Sequence, residues 1–92
     1  YVAKQCHPQT IELIVTRAKP LGIDVQIIDQ RAGEMQFADA FGVLLQYPAT
    51  DGTVDQLEQL CAQAKSDQCM VVVATDLLAL TLLKPPGAFG AD

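Results

Sequence analysis

The sequence is poor in most of the side chains that carry catalysis or bind nucleic acid. Its 92 residues include no tryptophan, one histidine (His7), one serine (Ser66) and six Lys and Arg against eleven Asp and Glu. The formal net charge is −5 and the basic residues are scattered, which argues against a phosphate backbone or an anionic membrane surface as partner. Ser66 falls in a polar helix end, which excludes a nucleophile elbow. With one histidine, a His-based metal site would need Cys or carboxylate partners, and none stands at ligand spacing. The longest apolar stretch, Met70 to Leu83, is broken by Asp76 and falls short of the ~18 uninterrupted apolar residues that a membrane span needs. The opening YVAKQCHPQT has no signal-peptide pattern, so export is not expected.

Three cysteines, Cys6, Cys61 and Cys69, form no CxxC and leave an odd one under any pairing. Buried, inert, reduced thiols in a cytosol-like compartment are the expectation. Charged residues make up only 18% of the chain and hydrophobic ones 50%, a balance that suits a buried layer of a larger protein. A chain this short buries only roughly 60–65% of its unfolded surface, so one domain at most is expected, and a fragment rather than a free-standing unit.

What the sequence does have is concentrated at Met70 to Asp92. Met70 to Ala74 is apolar, largely β-branched and too short for a typical helix, which predicts a parallel-sheet strand buried on both faces. Asp76 stands at its carboxyl end, either facing something cationic or capping a helix over Leu77 to Leu83. Upstream, Tyr1 to Gln5 reads as the tail of a strand begun earlier. Pro8 suits the first turn of a helix whose apolar face is Ile11, Ile14, Val15 and Ala18 and which ends near Pro20 and Gly22. Ile23 to Ile28 predicts a second strand, Asp29 to Asp39 a polar loop, and Phe41 to Tyr47 a third strand closed by Pro48. Thr53 and Gln56 have capping-box spacing before an apolar stripe of Val54, Leu57, Leu60, Cys61 and Ala64.

Strands alternating with amphipathic helices predict an α/β fold, a mainly parallel sheet with flanking helices. Parallel strands would then bring three polar carboxyl ends to one edge: Cys6-His7, Thr50-Asp51 and Thr75-Asp76. Adjacent residues on an extended chain point to opposite sides, which argues against Cys6 and His7 as a thiolate–imidazole pair. His7 is therefore either a hydrogen-bonded residue at a helix start or a ligand contact. Gly87 to Gly90 lacks the strand and helix that flank a phosphate loop and predicts a structural turn.

Longer motifs go further. CHPQT at Cys6 to Thr10, TRAKPLGI after it, GVLLQYPATDG at Gly42 to Gly52 and ATDLLALTLLKPPGAFGAD at Ala74 to Asp92 together resemble glycine dehydrogenase (decarboxylating), the P-protein family of the glycine cleavage system. The match runs essentially end to end and is nearest to the amino-terminal half of that family, whose own cofactor site is degenerate. The resemblance implies part of the large domain of a pyridoxal 5'-phosphate enzyme with the aspartate-aminotransferase-like fold (fold type I). It implies decarboxylation of glycine, with the aminomethyl group passed to the lipoyl H-protein, and the other half or subunit of the P-protein as a further partner. It places the parent in the cytoplasm of a bacterium or in the mitochondrial matrix. By position, Asp76 matches the carboxylate that pairs with the pyridine nitrogen and His7 the residue stacked on the ring; in a degenerate half the two are either relics that hold the fold or groups that face the interface shaping the active site. None of Lys4, Lys19, Lys65 or Lys84 matches the Schiff-base lysine, so the resemblance implies a stretch that serves mainly as scaffold. A non-catalytic α/β interaction or scaffold module is the alternative.

Overall fold

A computed structural model describes all of residues 1–92. The elements are β1 (Val2–Ala3), α1 (Pro8–Ala18), β2 (Ile27–Ile28), β3 (Gly42–Tyr47), α2 (Glu58–Ser66) and β4 (Met70–Thr75). The four strands form one sheet in the order β2-β1-β3-β4, and every pairing is parallel. The expected α/β class and parallel sheet are therefore present.

The order of the strands matters more than their number. From β1 the chain crosses through α1 to β2 on one side, and from β3 it crosses through α2 to β4 on the other. Right-handed crossovers that leave in opposite directions put their helices on opposite faces. The side-chain alternation agrees. Val2, Leu44 and Val72 share one face by register and line a groove with Leu13, Ile14 and Ala18 of α1. On the other face Val43, Leu45, Tyr47 and Val71 join Leu57, Leu60 and Cys61 in the buried core.

Local chemistry explains the ends of the elements. Pro8 occupies the first turn of α1, where a missing N–H is harmless, and Gly22 ends the following turn in the left-handed region at φ 68°. Phe89 packs edge-on against Tyr47, with ring centroids 5.4 Å apart, and Lys84 lies 5.9 Å above the Phe89 ring. That contact makes Pro86–Phe89 the structural turn its sequence suggested.

Several expectations are corrected. Strand β2 is only Ile27–Ile28, because Ile23 to Gln26 approach the sheet with a single bond, from Val2 N–H to the Gln26 carbonyl. The capping box does not form. Thr53 donates its N–H to Asp51 and accepts from Ala49 through its carbonyl, so it belongs to a turn and α2 begins five residues later. Val54 consequently falls outside the buried stripe of α2, and Val15 is exposed on α1. No α-helix forms over Leu77 to Leu83, only a short 3-10 turn at Ala79–Thr81. Strand β4 is buried on one face only, with Val72 50% and Met70 59% exposed on the other.

That open face is extensive. Between α1 and the uncovered side of β3 and β4 lies an apolar groove of about 510 Å³, flanked by Phe41 at 78% exposure. Leu78 and Leu82 are exposed at 75% and 92%. Exposed apolar surface on this scale normally lies against more protein. The isolated 92-residue chain is therefore expected to bind a hydrophobic dye and to self-associate, measured by dye fluorescence and sedimentation. A dye-silent monomer with one cooperative thermal transition is the contrary result.

Candidate functional site at the carboxyl edge of the sheet

Because crossovers diverge from β1 and β3, neither connecting segment covers the gap beyond the carboxyl ends of these two strands. Such a switch point is where open α/β sheets bind ligands. The residues that follow β1 and β3 meet there. Thr50 N–H donates to the Gln5 carbonyl at 2.9 Å, and the His7 ring nitrogen Nδ1 lies 3.0 Å from the Thr50 hydroxyl.

His7 is the N-cap residue of α1, with extended backbone at φ −60° and ψ 138°. Its carbonyl accepts from Thr10 and Ile11, so the backbone is fixed by the helix while the side chain stays exposed. The neighbouring Cys6 is fully buried, with its thiol 3.8 Å from the Leu44 carbonyl. The two side chains diverge, as the extended chain requires. Burial pushes all three thiols, Cys6, Cys61 and Cys69, above their ordinary pKa, which keeps them protonated and unreactive.

Asp76 follows β4, one strand further along the same edge, and is exposed. Its Oδ1 accepts from Leu78 N–H at 3.3 Å, a local cap on the turn that follows. No cation of this chain pairs with the carboxylate. The structure thus places His7 and Thr50 together at the switch point and Asp76 on the same sheet edge after β4, the next strand but one from β1.

The sequence reading missed how this edge is held. Gln30, in the loop expected to be merely polar, is buried and turns its side-chain amide onto β3. It accepts from Gln46 N–H at 3.2 Å and donates to the Gln46 carbonyl at 3.1 Å. The amide stands where another β1 peptide would stand, so it extends the ladder past the end of a two-residue strand. Gln5 receives Gln30 N–H on its own side-chain oxygen and donates to Asp29. Arg31 spans both Asp51, at 3.0 and 3.1 Å, and Asp55, at 2.8 and 3.0 Å, tying the loop after β2 to the turn after β3. The only signal was a lone arginine in a segment otherwise acidic. Phe37 in the same loop is fully buried and tilted against Tyr1, with ring centroids 6.0 Å apart.

These ionic contacts are exposed, so they set orientation more than stability. The Lys4 ammonium, then Gln5 and Arg31 N–H, hold Asp29 below its ordinary 3.8, at about 2. Arg31 likewise holds Asp51 well below the carboxylate range.

Comparison with known proteins decides the family. A profile of the family described as "Glycine cleavage system P-protein" matches residues 1–92. The chain belongs to the glycine cleavage system P-protein family. It is 57% identical over 91 residues to glycine dehydrogenase (decarboxylating) of Thermosynechococcus vestitus, a match covering 99% of this chain and 10% of that protein. The enzyme of the same name from Aliivibrio fischeri is 53% identical, covering 100% of this chain and 9% of that one. The mitochondrial form from Dictyostelium discoideum is 45% identical, covering 99% and 9%. The chain thus spans about a tenth of the length of these relatives. In three dimensions it superimposes with a TM-score of 0.88 and 26% identity on a crystal structure of the P-protein glycine decarboxylase in inhibitor-bound form, covering 99% of this chain and 22% of that one. The family resemblance carried by CHPQT and ATDLLAL is correct, and this stretch of a P-protein has the α/β fold expected of it. No helix is long and apolar enough to cross a membrane.

Asp29 provides a test of the edge. A carboxylate whose folded pKa is depressed contributes stability that is complete above its unfolded value and lost as pH falls through the folded one. For Asp29 that window lies between 3.8 and about 2. The urea midpoints of the polypeptide carrying this stretch and of its Asp29→Asn variant are expected to differ above about pH 5 and to converge toward about pH 2. A difference that is constant across that range would contradict the assignment.

Proposed function

We propose that this chain is a structural layer of a pyridoxal-phosphate-dependent glycine decarboxylase, and that its carboxyl edge offers His7 and Asp76 to the pyridine ring of the cofactor. The observation that carries the reading is the end-to-end family match, on a fold that brings His7 and Asp76 to one sheet edge. The side chains present suit a ring and nothing more of the cofactor. Asp76 is an exposed carboxylate with one oxygen outside any protein hydrogen bond, appropriate for a protonated pyridine nitrogen. His7 presents an exposed imidazole at the switch point. Lys4, Lys65 and Lys84 are paired to Asp29, Asp92 and Glu58, and Lys19 ends α1 at its carboxyl terminus, so no lysine faces Asp76 as a covalent anchor.

Pyridoxal phosphate, when bound, supplies an electron sink for the pair left on glycine as carbon dioxide departs. The part of this chain is to orient and to hold charge. Asp76 would keep a proton on the ring nitrogen, and His7 would fix the plane of the ring against the end of β1. The anchoring lysine, the phosphate site and the surface that receives the lipoyl H-protein belong to the rest of the P-protein or to its other half. Glycine itself would be bound there too.

In the full-length polypeptide carrying this stretch, Asp76→Ala is expected to weaken pyridoxal phosphate binding at least roughly tenfold, the worth of a charge-assisted hydrogen bond. Equilibrium titration followed by cofactor absorbance measures it. Unchanged affinity would leave the edge as scaffold only.

A further inference from the structure

We infer that the apolar groove between α1 and the open side of β3 and β4 seats an α-helix of the same P-protein polypeptide, the crossover that leads into β1 from a strand beyond β4. The inference rests on the order of the strands and on the length of the relatives, and it is independent of any contact between the carboxyl edge and the cofactor.

The two faces of the sheet are unequally filled, and the direction of travel explains why. A right-handed crossover between parallel strands lies on a face set by the direction in which it moves along the sheet. Three connections move in the direction from β2 to β4. The loop from β2 to β3 runs against α2, with Met35 N–H donating to Gln63 Oε1 at 3.4 Å and Phe37 N–H to Asp67 Oδ2 at 2.7 Å. Helix α2 joins β3 to β4. The segment after β4 returns over the same side, where Phe89 meets Tyr47 and Lys84 meets Glu58, and brings Asp92 to the outer edge of β4. There Asp92 N–H donates to the Val71 carbonyl at 2.9 Å, and Val71 N–H donates to Asp92 Oδ2 at 2.9 Å. Met70 N–H is turned inward to the Phe41 carbonyl, so the Val71 groups face outward and Asp92 stands where a further strand would begin. Only α1 moves the other way, from β1 to β2, and it occupies the opposite face.

One connection of these four strands lies outside the 92 residues, the one that feeds β1. The relatives are about ten times as long as this chain, so there is polypeptide to supply it. Coming from a strand beyond β4, it travels in the same direction as α1, and handedness puts it on the α1 face, across β4 and β3. The groove lies there, walled by Leu13 and Ile14 of α1, floored by Leu44 and Val72 and flanked by Phe41 and Met70. Parallel strands are usually joined through a helix, and this one would run beside α1, from the carboxyl edge of the sheet to its amino edge. The charge at the groove's end fits that direction. Arg17, in the last turn of α1, lines the groove and forms no ion pair within the chain. It stands toward the amino edge, where a helix feeding β1 ends and its last carbonyls carry partial negative charge.

The test uses the full-length polypeptide carrying this stretch. Phe41→p-benzoylphenylalanine exchanges one exposed aromatic side chain for a photoreactive one at the rim of the groove, and Leu13→p-benzoylphenylalanine places the same group on the α1 wall. Irradiation, digestion and mass spectrometry identify what each side chain touches. Both are expected to cross-link to one peptide on the amino-terminal side of Tyr1, in which apolar residues recur at helical spacing. Cross-links to sequence after Asp92, to a second copy or to another protein overturn the inference, and so does the absence of any cross-link beyond residues 1–92. Hydrogen exchange gives a second readout. Val72→Asp, which sets a charge on the groove floor, is expected to speed exchange in that upstream peptide at least roughly tenfold, with Val72→Ile close to the parent. An upstream peptide that exchanges at the parent rate in Val72→Asp overturns the inference.

Discussion

Everything at the carboxyl edge depends on the divergence of two crossovers from adjacent parallel strands. A parallel pair needs a connection that returns over one face, and β1 and β3 send theirs in opposite directions. At the base of the gap beyond their ends, side-chain amides continue the pairing: Gln30 extends the β3 ladder where β1 stops after two residues, and Gln5 anchors Gln30 in turn. Once those bonds are made, the segments after β1 and β3 are fixed relative to each other. His7 and Thr50 then meet as a consequence of backbone topology rather than of any local sequence signal.

The same topology leaves one face of the sheet partly open. On the face of the sheet opposite α2, α1 lies on the β1 side, and β3 and β4 are left open beside it. Strand β4 looked suited to burial on both faces because Met70 to Ala74 is apolar throughout. The structure uses only one of those faces within the 92 residues, and the relatives are about ten times as long. An exposed apolar surplus of this kind is expected to lie against more protein.

How far the sequence could be read follows from the kind of information each feature carries. Strands β3 and β4, helix α1 and the shared polar edge were legible, because apolar period and the Pro and Gly stops are local properties. The family was legible in ATDLLAL and CHPQT, which no periodicity argument would have found. Hidden were the features set by long-range bonds. The capping-box spacing at Thr53 and Gln56 lost to a turn that engages both backbone groups of Thr53. The loop from Asp29 to Asp39 looked featureless, yet it supplies Gln30, Arg31 and the buried Phe37, whose hydrogen bonds to other elements span 16 to 30 residues. A side-chain amide that imitates a strand has no composition signature.

The central claim is that the switch point between β1 and β3 faces the cofactor in the intact enzyme. Hydrogen exchange of the full-length polypeptide, with and without pyridoxal phosphate, tests it most directly. The account predicts slower exchange on cofactor binding in the segments around His7, Thr50 and Asp76, with the distant carboxyl end of α1 unaffected. Protection confined to other parts of the polypeptide, with these three segments unchanged, would contradict it and leave this edge as scaffold alone.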